Sequence, residues 1–156
     1  MSVKEISEKL DSGLFVMADR YSLRLLESSI GLIYIWFGVL KFFPNYSPAE
    51  VLAGDTLELI TFHLFDKQFL LWILASGELF IGLALLLRIK SKYVIWGLLV
   101  HMGGTFSPIF FFPELVFTHP PFGFSMVGQY IMKNLVIVSA ALVIYTKNSR
   151  NGYRNF

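Results

Sequence analysis

Cysteine is absent from the 156-residue chain, which excludes disulfides, thiolate nucleophiles, iron–sulfur ligation and covalent haem attachment. Charge is scarce as well. Only 15% of residues are charged and 55% are hydrophobic, whereas a water-soluble domain carries roughly a quarter charged residues. The net charge of +2 is too small to suggest a nucleic-acid partner. The first 23 residues mix acids and bases and lack a compact apolar region before a small-residue cleavage site, so no cleavable signal peptide is expected.

What the chain does have is four long apolar stretches. They run over residues 24–43, 69–87, 93–112 and 128–146. A helix needs roughly 17–25 residues to cross the hydrocarbon of a bilayer. Lipid offers backbone groups no hydrogen-bonding partner, so the spans must be helices. The expected fold is an all-α membrane protein, a four-helix transmembrane bundle. Residues 1–23 form an amphipathic segment before it and residues 147–156 a tail after it.

Basic residues set the expected orientation. Lys4, Lys9, Arg20 and Arg24 precede the first span, Arg88, Lys90 and Lys92 join the second to the third, and Lys147, Arg150 and Arg154 follow the fourth. The other two connections hold only Lys67. This asymmetry predicts a multi-pass protein of the cell membrane with both termini cytoplasmic. In the N-terminal segment Val3, Ile6, Leu10 and Leu14 share one side, predicting a helix that lies on the inner surface before turning into span one. In the first exterior loop, Ser47-Pro48-Ala49-Glu50 reads as a capped helix start. It predicts an interfacial helix from Pro48 to about Phe65, between the first two spans. The second exterior loop carries Pro113, Pro120 and Pro121, which forbid one long helix. Phe117, Phe122, Phe124 and Tyr130 there predict either a plug on the bundle mouth or an interfacial aromatic belt.

Ionisable residues inside the spans are the functional signal, because each costs roughly 2.5–3.5 kcal/mol at the centre of a bilayer. Glu27, Gly31, Tyr34, Gly38 and Lys41 share one face of span one. Ala75, Glu78 and Gly82 do so in span two, and Gly97, His101, Gly104 and Pro108 in span three. Tyr130, Lys133, Asn134, Ile137 and Ala141 line one side of span four. At about 1.5 Å per residue, Glu78 lies about 13 Å and His101 about 16 Å below the outer ends of their spans, so the two can meet. Lys41 and Lys133 can bend inward to Glu78 or outward to headgroups. His63 and His119 read as surface histidines.

Two interior ligands, Glu78 and His101, are too few for a zinc site, and one interior histidine cannot provide bis-histidine haem ligation. No metal is expected. A carboxylate, a histidine and lysines around an amphipathic head group fit better: they can hydrogen-bond or exchange protons with a quinone. The same groups could bind a small anion or pass protons.

Several runs resemble the DoxX-like family of small multi-pass membrane proteins. IGLIYIWFGVLKFFP is similar to its opening helix, SGELFIGLALLL to its second, and HMGGTFSPIFFFPELVF with PFGFSMVGQYIMKNLVIVSAALVI to its third and fourth. The resemblance covers about residues 24–146. It implies a four-helix bundle and an association with quinone-linked oxidation or oxidative-stress defence. Matching motif positions carry over Lys41, Glu78, His101, Lys133 and Asn134 as polar-site residues; Tyr34 joins them from its helix face. Val127 stands where the pattern has an acid, so no exterior acid site is carried over. Three functional classes follow: a redox-linked ligand-binding protein, with quinone as the candidate cofactor, a non-catalytic anchor for a soluble redox partner, and a small-solute transporter that would need a homo-oligomer. Membrane lipid is a partner in all three.

Overall fold

The computed structural model describes residues 3–44, 46–47 and 50–150. Four of its helices are long and apolar enough to cross a membrane, so the chain is a multi-pass, helical membrane protein. In chain order the elements are α1 (Val3–Leu40), α2 (Glu50–Ile60), α3 (Lys67–Leu86), α4 (Lys92–Phe106), two single-turn helices α5 (Pro108–Phe111) and α6 (Pro113–Val116), strands β1 (Phe117–His119) and β2 (Gly123–Phe124), and α7 (Met126–Arg150).

Helix α1 corrects the expected turn at the membrane surface. It is one unbroken helix of 38 residues, about 57 Å long, where the hydrocarbon core is about 30 Å thick. Sharp kinks arise at proline, at paired glycine and serine, or at a bulge; the Ser12-Gly13 pair is the one such feature in the first half of α1, and the helix runs through it unbroken. The first half therefore continues the second as helix and stands clear of the bundle, with Leu10, Leu14, Phe15, Val16 and Met17 all more than 60% exposed.

The second half of α1 packs tightly on α3 because glycines face each other. A Cβ on Gly31 would come within 2.8 Å of the Gly82 carbonyl oxygen, and a Cβ on Gly82 within 2.8 Å of the Gly31 oxygen. One pair of turns further on, a Cβ on Gly38 would stand 3.2 Å from the Glu78 Cβ. Small residues thus bring the two backbones together without a hydrophobic driving force between them. Helices α4 and α7 form the other close pair. Between the pairs lies an apolar core that includes Ile30, Ile81, Leu85, Ile95, Leu98, Met102, Ala141 and Ile144.

The first loop contains the expected helix, shortened to Glu50–Ile60. Its C-terminus is closed by Phe62 and His63 at positive φ, after which Asp66 caps α3 by accepting from the amides of Gln68 and Phe69. Pro48 and Ala49, half of the predicted capping pattern, lie outside the described residues, as does the tail beyond Arg150. Helix α2 buries Gly54 and Thr56, leaves Val51 and Ile60 outward and half-buries Ala53 and Leu57, so small and polar residues meet the protein most closely. In the second loop the chain is broken into two short helices, as expected, and Pro108 and Pro113 each stand at the start of one. Beyond the all-α expectation, β1 and β2 pair antiparallel. Phe117 and Phe124 stack at 5.1 Å, while Phe122 and Tyr130 are 89% and 58% exposed; two of the four rings pack and two do not.

Candidate functional site

The glycine contact at Gly38 sets the site. It places the end of α1 level with the middle of α3, so Lys41, in the tight turn that follows Leu40, stands about one turn beyond Glu78. The lysine bends inward. Its Nζ donates to both carboxylate oxygens of Glu78, at 2.8 Å to Oε1 and 2.6 Å to Oε2, and faces the Phe37 carbonyl at 3.4 Å. Both side chains are 6% exposed. Charge-assisted bonds this short are the strong class of hydrogen bond, and each charge would be costly without the other.

Helix α4 supplies the third member. His101 Nε2 lies 3.0 Å from Glu78 Oε1, and its Nδ1 lies 2.9 Å from the Tyr34 hydroxyl on α1. The Tyr34 and His101 rings meet edge to face at 5.2 Å. Tyr34 is 3% exposed, whereas the His101 side chain retains 14% and is the most accessible member. An ionised Glu78 only accepts, and the imidazole tautomer that fits it donates from Nε2 to Glu78 and accepts at Nδ1 from the Tyr34 hydroxyl. A neutral imidazole keeps the set neutral, with one ammonium balancing one carboxylate. The result is a continuous chain, Tyr34 to His101 to Glu78 to Lys41, from three helices and across the two helix pairs.

Two further expected residues separate. Asn134 on α7 is half-buried and donates from Nδ2 to Thr105 Oγ1 on α4 at 3.4 Å. Thr105 is four residues past His101, so this contact lies about one turn along the same face. Lys133 does not join the site. One residue from Asn134 is about 100° around a helix, and Lys133 is exposed with its Nζ over the Tyr130 ring, 5.2 Å from the centroid. His63 and His119 are exposed, as expected.

Sequence reasoning missed a second buried cluster at the other end of the bundle. Glu27, 3% exposed, accepts from Arg88 Nε at 3.2 Å and from Asn148 Nδ2 at 3.1 Å. Asn148 is 3% exposed, and its Oδ1 has no partner among the described residues. Arg88 stands at φ 56° just beyond α3 and keeps 35% of its side chain in the open. The signal for Asn148 was available: Asn134, Ile137, Ala141, Ile144 and Asn148 continue one helix face past the apparent end of span four. A third ion pair, Lys67 with Asp55, joins α3 to α2 and is about a third exposed.

Among the described residues no group of three or more His, Asp or Glu side chains is placed to hold a metal ion. Comparison with known proteins returns no match: no family model, no curated protein and no solved structure is similar to the chain.

Proposed function

We propose that the chain is a DoxX-like protein of the cell membrane whose Lys41–Glu78–His101–Tyr34 network binds the head group of a quinone-type amphipathic ligand. The observation that carries this reading is the buried Lys41–Glu78 pair bonded to His101. A membrane protein keeps charges and a histidine at such depth when they meet one another or a ligand. Here they do the first and remain equipped for the second. Glu78 serves as the proton-accepting carboxylate, His101 and Tyr34 as the relay to it, and Lys41 fixes the carboxylate in place through both its oxygens. Access is at His101, which keeps 14% of its side chain open; Gly104, about one turn along the same side of α4, is exposed, and a Cβ there would meet nothing within 4 Å. In this reading both termini are cytoplasmic, in line with the loop charges, and Lys41 approaches Glu78 from the exterior side.

Titrating the detergent-solubilised protein with a decyl-substituted benzoquinone and its quinol tests the proposal. Binding by the wild type that weakens at least tenfold in Glu78→Gln supports it; equal binding by both proteins removes it.

A second reading, an anchor for a soluble redox partner, is supported by the projecting half of α1 with its exposed Leu14, Phe15 and Met17. Co-purification of a soluble protein, lost in Phe15→Glu/Met17→Glu, is the outcome that reading expects.

A further inference from the structure

Counting donors and acceptors in the network shows which form of ligand it can take. Lys41 carries three protons: two point at Glu78, at 2.8 Å and 2.6 Å, and the third at the Phe37 carbonyl. The single proton of neutral His101 points at Glu78 Oε1, and the Tyr34 proton points at His101 Nδ1. Every proton of the set is therefore committed. The opposite assignment on the imidazole would set a lone pair against the carboxylate at 3.0 Å. A doubly protonated ring would add an unbalanced charge to a buried neutral set.

Acceptor capacity is what remains. Glu78 Oε1 receives two bonds, from Lys41 and His101, but Oε2 receives one, from Lys41. The Tyr34 oxygen donates and, among the described residues, receives nothing, although a hydroxyl has two acceptor lone pairs. An incoming carbonyl, which only accepts, meets lone pairs or must break a bond of the network. An incoming hydroxyl finds a partner at once. A cationic amine would also donate, but it would bring a second positive charge beside the buried Lys41 ammonium. The matching ligand is a neutral hydroxyl donor on an apolar body.

We infer that, given the quinone-type reading above on which this rests, the site is a quinol site: it binds the reduced, hydroxyl-bearing form in preference to the oxidised, carbonyl form. Binding needs no proton transfer and no electron transfer. The quinol hydroxyl donates to Glu78 Oε2 or to the Tyr34 oxygen, and the four side chains keep the bonds they already make.

The experiment compares affinities for one head group in two redox states. The full-length protein in detergent is titrated anaerobically with a decyl-substituted benzoquinol and separately with its benzoquinone, following thermal stabilisation and heat of binding. The expected result is quinol binding at least tenfold tighter, a difference of about 1.4 kcal/mol. The variant Lys41→Met/Glu78→Gln replaces the ion pair with a carboxamide that both donates and accepts, and there the ratio falls to about one. Because it removes both charges together, it avoids leaving one buried alone. Equal or tighter quinone binding by the wild type overturns the quinol assignment and leaves the quinone-type reading standing. A preference that survives intact in the double variant also overturns it, since the determinant then lies elsewhere. Binding of neither form overturns both.

Discussion

Among the described residues two glutamates are buried, and they are built differently. Glu78 sits mid-helix in α3, paired with a lysine as buried as itself and with a histidine from the opposite helix pair. Glu27 sits at the other end of the bundle, where its cation, Arg88, comes from a connection and is a third exposed, and its other partner is the neutral Asn148. The first arrangement contains groups that can carry or pass a proton in sequence, tyrosine to imidazole to carboxylate. The second contains no relay: an arginine stays charged and an amide does not titrate. On the proposed function, ligand chemistry belongs to the Glu78 end. The Glu27 end acts as a clasp, tying α1, the α3–α4 connection and α7 together.

Removing one cation from each cluster breaks this comparison open. The largest effect falls on Lys41→Met, which leaves the Glu78 carboxylate buried without its counter-ion and costs about 3–5 kcal/mol. Thermal unfolding in detergent measures it. Replacing both members, as Lys41→Met/Glu78→Leu, recovers most of that loss, because apolar residues of similar volume substitute well for a buried pair. Next comes Gly82→Val, which pushes a side chain into the Gly31 carbonyl and forces α1 from α3. The expected cost is about 1–3 kcal/mol, accompanied by weaker ligand binding, since Gly38 and the Lys41–Glu78 distance depend on the same contact. Arg88→Ala costs less, about 1–2 kcal/mol once its partial exposure to solvent is allowed for, and leaves quinol affinity unchanged. Smallest is Lys133→Gln: quinol affinity and melting temperature both stay at their wild-type values, because the residue faces away from the network. A loss of binding in Arg88→Ala or Lys133→Gln would erase the distinction between the two ends.

How much of this was legible in the sequence depends on the periodicity each residue obeys. The α3 span and the start of α4 could be read to within two residues, because an apolar run and the residues that end it are local properties. The meeting of Glu78 and His101 was legible too, and Tyr34 shared a glycine-bearing face that close backbone approach brings toward them, whereas the inward turn of Lys41 was one of two courses its stem could take. Lys133 misled because adjacent residues on a helix diverge by about 100°; Asn134 took the inward place. Arg88 was read as a topological charge, and a loop count does not say which loop residue turns back into the bundle. Asn148 lay past the apolar run that defined span four. The continuity of α1 was obscured by a change of composition near Arg24, although composition can change along a helix without bending it. The β1–β2 pairing depends on register between two short segments, which their aromatic content alone does not specify.

The central claim is that acid, base and cation from separate helices form one buried site for a ligand hydroxyl. Saturation binding of the decyl-substituted benzoquinol to Lys41→Met/Glu78→Leu, beside the wild type and at a temperature where both are folded, tests it most directly. The account predicts at least a tenfold loss of affinity in the double variant with its melting temperature largely preserved. Unchanged affinity in that folded variant would contradict it.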